Sequence, residues 1–182
     1  IDAGFIGLEA AGALRARGLA VHVVAPEQVP MARVLGDEIG RFIVDLHAAS
    51  GVVFHLATTA TGYDGRVLTL HDGSRIDAGL VIVGAGVTPR TGLAEAAGIV
   101  MEDGILVDAQ LRTSVGGIYA AGDVAHYPHR GEHVRVEHWV HAQRQGQLAA
   151  ANMLGAMQAF VDVPFFWTQH QGLELRSSGI NR

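Results

Sequence analysis

The stretch Thr113–Asp123, Thr-Ser-Val-Gly-Gly-Ile-Tyr-Ala-Ala-Gly-Asp, joins a short apolar run to a glycine turn and a carboxylate. Ile118–Ala121 reads as a buried strand, Gly122 permits a tight turn, and Asp123 falls at the strand's carboxyl end, the edge where open α/β sheets take ligands. Beyond a polar loop, Glu137–Leu154 has the composition of a helix, whose first-turn N–H groups can face a phosphate or an electron-rich ring. A Gly-Asp pair alone is an ordinary turn. The full string, with acid and helix N-terminus in succession, is a unit built to hold a nucleotide.

A second constellation opens the chain. Ile1–Glu9 looks like the strand-to-helix turn of a dinucleotide fingerprint, with a helix through Arg17 and Gly18 as its stop. Gly4 would let the backbone approach a pyrophosphate, and Gly7 would allow close helix–strand packing. Asp2 stands where the fingerprint has its first glycine, and a carboxylate there repels pyrophosphate by ~1–4 kcal/mol, depending on local dielectric. The alternative is a helix start with incidental glycines, and the position ahead of a second strand favours the fingerprint. For NADH, an acid should follow the second strand to accept from the ribose 2′-OH; Ala25 holds that position and Glu27 lies two residues on. Arg33 suits a 2′-phosphate instead, so NADPH stays open, and a solvated loop remains the plain alternative for both residues.

These residues must be positioned by a chain of 182 residues, 49% hydrophobic, with a formal net charge of −5, the profile of a soluble globular protein and not of a nucleic-acid binder. No apolar run approaches a membrane span and no basic, cleavable leader is present, so a cytoplasmic protein is expected. The absence of cysteine excludes a disulfide framework, a Cys-ligated metal and a redox dithiol within these residues. All thirteen basic residues are arginine, so any lysine partner must come from elsewhere.

The expected elements run in βαβ order. Ala20–Ala25 reads as a strand. Gly36–Ser50 is a helix with Ile39, Phe42, Ile43 and Leu46 on one apolar face, and Val52–His55 is a third strand. Thr58–Tyr63 and Arg66–His71 flank the hairpin signal Asp64-Gly65, with a further turn at Asp72-Gly73. Gly79–Arg90 reads as a buried strand ending in a glycine turn. His126, His129, His133, His138 and His141 lack cysteine or regular acidic partners and are expected to be solvated loop and helix-start residues, not metal ligands.

Thr113–Asp123 and Glu137–Gly155 resemble the second FAD-binding segment of the pyridine-nucleotide-linked flavoprotein reductases. The resemblance implies that Gly122 and Asp123 hold the ribityl and pyrophosphate part of FAD, and that the turn Glu137, His138, Trp139 points at the flavin. By the same resemblance Glu9 is the acidic residue beside the nicotinamide, with its usual lysine partner absent here; capping of the first helical turn is the bland alternative. Gly84 and Gly86 match the segment where the chain leaves the NAD(H) site, and permit close approach to nicotinamide and ribose. Thioredoxin reductases carry a dithiol in this region, so the cysteine-free chain does not resemble them.

Val163–His170, with Glu137-His-Trp and Gln143–Gly146, is similar to the ferredoxin reductases of oxygenase systems and the apoptosis-inducing-factor-like reductases. That branch implies a tryptophan near the flavin, here Trp167, for which plain packing is an equal reading. The implied fold class is α/β: a Rossmann-like NAD(P)H-binding domain over 1–111, the second segment of a Rossmann-like FAD-binding domain over 112–162, and the start of a C-terminal interface domain over 163–182. The implied function is electron transfer from NAD(P)H through FAD to a ferredoxin or Rieske-type iron–sulfur protein. The match covers the middle of a whole enzyme, so a fragment that self-associates, as a homo-oligomer by strand exchange, is expected. The competing expectation is a non-catalytic nucleotide-binding or scaffolding module.

Overall fold

The computed structural model describes residues 1–179, so the last three of the stretch 163–182 lie outside the described residues. Among the described residues the chain divides into two units, Ile1–Gly86 with Trp167–Leu175, and Val87–Phe166 with residues 176–179. The architecture is the α/β, Rossmann-like arrangement that the alternation of elements implies.

In the first unit, helix α1 (Phe5–Ala16) ends where Gly18 turns back at φ 80°, its N–H reaching Arg15 O. Strand β1 (Val21–Val24) follows. A short helix not foreseen in the sequence, α2 (Ala32–Leu35), starts from Met31 in the left-handed conformation and leads through Gly36 into α3 (Asp37–Ala49). Strand β2 (Val52–His55) runs parallel to β1, Val21 opposite Val52 and Val24 opposite His55. Val21, Val23 and Val24 are all buried, as expected of a parallel strand covered on both faces. The meander β3 (Ala60–Tyr63), β4 (Val67–Leu70) and β5 (Arg75–Asp77) packs Leu68, Leu70 and Ile76 around Val24.

Two expectations here need correction. The inward face of α3 is Gly40, Ile43 and His47, while Ile39 and Phe42 remain exposed. Gly40 lets the helix lie against the Pro30 carbonyl, which rotates the buried stripe away from the larger apolar side chains. Gly79–Arg90 is not a buried strand: Leu80, Ile82, Val83 and Val87 are exposed and no strand is assigned. Its backbone meets the chain at Ile1, through Gly84 N to Ile1 O at 3.0 Å, while Asp2 N reaches Val24 O at 3.1 Å on the other side. The Ile1 N-terminus also donates to Ile82 O, and these two bonds from the segment to Ile1 are too few for a ladder.

The second unit begins with α4 (Gly92–Ala96) and holds β6 (Ile105–Leu106), β7 (Ala125–His129) and β8 (Glu132–Val134) in one sheet, β6 parallel and β8 antiparallel to β7. Helix α5 (Trp139–Met153) follows, within the expected span. Val107, Leu111, Tyr127, Val136, Ala149 and Phe160 form the core of this unit. The presumed polar loop after Asp123 is therefore a β-hairpin. Ile118–Ala121 is not a regular strand: its pairing is a single bridge, Tyr119 to Arg112, flanked by the bonds from Thr113 N to Ile118 O and from Ala120 N to Leu111 O. Strands β9 (Phe165–His170) and β10 (Leu173–Ser178) pair with each other and contribute residues to both units. No helix among the described residues is long and apolar enough to cross a membrane.

Candidate functional site

In the second unit the Gly-Asp turn is tied to α5 by a side chain that sequence reasoning did not assign. Gln145 is fully buried, and its Oε1 accepts the Gly122 N–H at 2.8 Å. With its oxygen so occupied, Gln145 Nε2 donates to His141 Nε2 at 3.3 Å. Gly122 sits at φ 80°, and a Cβ there would press on Ala142 Cβ at 3.2 Å, so both backbone angle and helix contact call for glycine. The turn leaves Asp123 exposed, and its charge acts on His138, the residue just before the first turn of α5.

Arg135 organises the same corner. It pairs with the Glu137 carboxylate, approaches Asp103 at 3.5 Å, and donates from Nη1 to Asp123 O at 3.2 Å. His138 lies against Phe166 with ring centroids 4.8 Å apart, and burial lowers its pKa. Trp139 is 81% exposed, and no side chain caps the helix, so its first-turn N–H groups stay available to a ligand. Asp123, Glu137, His138 and Trp139 are thus brought to one end of α5.

In the first unit the fingerprint glycines serve a close approach. A Cβ on Gly7 would fall 2.6 Å from Asp2 O, which explains the tight helix–strand packing. Asp2 Oδ1 accepts the Gly4 N–H at 2.9 Å, so the carboxylate occupies the donor that a phosphate oxygen would use. A Cβ on Gly84 would lie 3.0 Å from Asp2 Oδ2, which places Gly84 beside the same carboxylate, and Gly86 takes φ 84°. Glu27 and Arg33 are both exposed, whereas Ala25 is fully buried. An apolar groove of about 440 Å³, lined by Ile6, Leu14, Val23 and Ile82 among others, lies alongside; its walls suit packing, not phosphate.

Glu9 is held from the far end of the sequence. Its Oε1 accepts from Thr168 Oγ1 at 2.6 Å and from the Gln169 N–H at 3.2 Å. Behind Thr168 stand two fully buried imidazoles, His170 and His47. Trp167, next in the strand, is 44% exposed. No sequence signal separates Thr168, Gln145 or Arg135 from other polar residues, because each acts on a partner brought near by the fold.

The histidines differ from expectation. His126 and His141 are 8% and 2% exposed, buried by the β7–β8 hairpin and by the packing of α5 on Tyr127 and Phe160. Burial pushes His141 down to about 4, so it is neutral at neutral pH. Among the described residues no group of three or more His, Asp or Glu is arranged to hold a metal ion.

The model of the pyridine nucleotide-disulphide oxidoreductase family matches residues 1–146. The chain is 39% identical to the anthranilate 1,2-dioxygenase system ferredoxin–NAD(+) reductase component of Burkholderia cepacia, over 99% of this chain and 46% of that protein. The ferredoxin reductase for the CYP199A2 system of Rhodopseudomonas palustris superposes with a TM-score of 0.89 at 37% identity, over 96% of this chain and 45% of that one. The covalent putidaredoxin reductase–putidaredoxin complex matches with a TM-score of 0.93 at 28% identity, over 98% of this chain and 45% of that one. The chain thus spans less than half the length of these relatives. With residues 1–146 matched by the family model, it belongs to the pyridine nucleotide-disulphide oxidoreductase family.

Proposed function

We propose that the chain is part of a flavoprotein oxidoreductase that passes electrons from NADH through FAD to a ferredoxin or Rieske-type iron–sulfur protein. The observation that carries this reading is the corner where the buried Gly122–Gln145 bond presents an exposed Asp123 near the uncapped start of α5. Asp123 would accept from hydroxyls of the FAD chain, while the first turn of α5 and Trp139 would face the flavin. Those groups fit FAD: an exposed acceptor, free helix N–H donors and an exposed indole. On the nicotinamide side, Glu9 would orient the ring through Oε2, since both bonds it accepts fall on Oε1. Glu27, exposed just past β1, would accept from the ribose 2′-OH, which favours NADH. Bound FAD supplies the conversion of a hydride from nicotinamide into electrons that leave singly.

We assign residues 1–111 to the nicotinamide-nucleotide domain, 112–162 to the second FAD segment and 163–182 to the start of an interface domain. The acceptor is argued from relatives named as ferredoxin reductases and from the neighbour solved with putidaredoxin. The test is a visible spectrum after incubation with FAD and desalting, repeated anaerobically with NADH. A retained flavin band that bleaches supports the reading. It fails if neither FAD nor NADH binds measurably, or if a full-length protein carrying this chain oxidises neither NADH nor NADPH with a dye or an iron–sulfur acceptor.

A further inference from the structure

One chain of hydrogen bonds in the first unit has more polar groups than holding Glu9 requires. Thr168 Oγ1 lies 2.6 Å from Glu9 Oε1 and 3.2 Å from His170 Nε2. His170 Nδ1 lies 3.1 Å from His47 Nε2, and His47 Nδ1 lies 3.3 Å from Gln171 Nε2. Thr168, His170 and His47 are at most 1% exposed, whereas Glu9 is exposed and Gln171 half-buried at the β9–β10 turn. A buried path thus joins two ends that reach solvent.

The direction of every bond follows from its ends. An ionised Glu9 only accepts, so the single Thr168 hydroxyl proton points to it. Thr168 Oγ1 must then accept from His170 Nε2–H, which leaves His170 Nδ1 bare. His47 therefore donates from Nε2–H to His170 Nδ1, and its own bare Nδ1 accepts from the Gln171 amide. Burial holds His47 near 4 and also lowers His170, so both rings are neutral at neutral pH. The facing groups are the two rings themselves, Glu9 acting on His170, and the apolar edge of Phe54 against His47.

We propose that Thr168, His170 and His47 form a directional proton relay between Glu9 and the β9–β10 turn, with Thr168 as the positioning residue for the carboxylate. Once the Gln171 amide turns aside from His47 Nδ1, a proton from solvent at the β9–β10 turn is taken up there, the His47 Nε2 proton moves to His170 Nδ1, the His170 Nε2 proton moves to Thr168 Oγ1, and the Thr168 proton moves to Glu9 Oε1. One proton enters and one arrives, both rings end as Nδ1–H tautomers, and the reverse sequence releases a proton from Glu9. Oxidation of NADH by two electrons that depart singly frees one proton per nicotinamide, which such a path can carry to solvent. The purpose rests on the assignment of Glu9 to the nicotinamide, whereas the relay itself is testable without nucleotide.

The test is the tautomeric state of His47 and His170 in this chain at neutral pH, read from long-range proton–nitrogen correlation spectra of the rings. Both are expected as Nε2–H. In Glu9→Lys the end group can only donate, and in Thr168→Val a buried His170 N–H loses its acceptor. Each change should move His47, a ring that neither residue touches, towards Nδ1–H. Thr168→Ser should keep the original tautomers. An Nδ1–H ring in the unsubstituted chain, or His47 unmoved in both Glu9→Lys and Thr168→Val, overturns the relay. Loss of NADH oxidation with the tautomers as expected would instead count against the nicotinamide assignment.

Discussion

Asp2 is the residue at which sequence and function pull hardest against each other. Its carboxylate takes the Gly4 N–H and lies close to Gly84, the place a pyrophosphate would occupy under the proposed function. Glycine there would free the donor and remove the charge. With repulsion of ~1–4 kcal/mol at stake and about 1.4 kcal/mol per tenfold, Asp2→Gly should tighten NADH binding by about tenfold or more. Titration of NADH fluorescence at low ionic strength reads this directly, and the gap between the two proteins should narrow as salt is added. Equal affinities would mean that the nucleotide avoids this turn. The close packing at Gly7 and the tight turn at Gly122 were legible in the sequence, because turn chemistry is local. Gln145 and Thr168 were not: their bonds span 23 and 159 residues, and only the folded chain makes them neighbours.

Elements read from period and punctuation were found wherever the chain itself supplies their partners. β2 and the meander fall within a residue or two of expectation, and so does α5. Gly79–Arg90 and Ile118–Ala121 read as strands by composition but have too few backbone partners among the described residues to form ladders. The face of α3 was misjudged because the glycine, not the aromatic, fixes its docking. A Cβ on Gly40 would lie 2.3 Å from the Pro30 carbonyl oxygen and 2.7 Å from Val29 Cγ1. Gly40→Ala should therefore destabilise the chain by ~1–3 kcal/mol, as overpacking does. Gly146, in α5, is exposed and a Cβ there meets nothing within 4 Å. Gly146→Ala should stabilise by ~0.5–1 kcal/mol through helix propensity. Urea midpoints that move in opposite directions establish the difference; a stabilised Gly40→Ala would refute the packing of α3 on Pro30.

At the scale of the molecule, each unit buries a histidine that must stay neutral: His47 in the first, His141 in the second. Desolvation is the first cause in both, and each is lowered from 6.5 to about 4. Above pH 6.5 neither folded nor unfolded chain protonates these rings, so stability is flat in this respect. Between 6.5 and about 4 the unfolded chain takes up protons that the folded one refuses, and stability falls as the pH falls. A lowering of that size corresponds to about 3 kcal/mol per ring as an upper limit, reached near pH 4. The exposed carboxylates Asp64 and Asp72 are held below their usual 3.8 by local donors, so their contribution is lost only at lower pH and does not blur this window. Unfolding midpoints should thus drop steadily from pH 7 to pH 4.5. Because the rings sit in separate cores, His47→Gln and His141→Gln should each flatten part of the slope, and the two effects should add. A midpoint that does not move between pH 7 and pH 5 would show that the rings reach solvent or gain a partner when they charge.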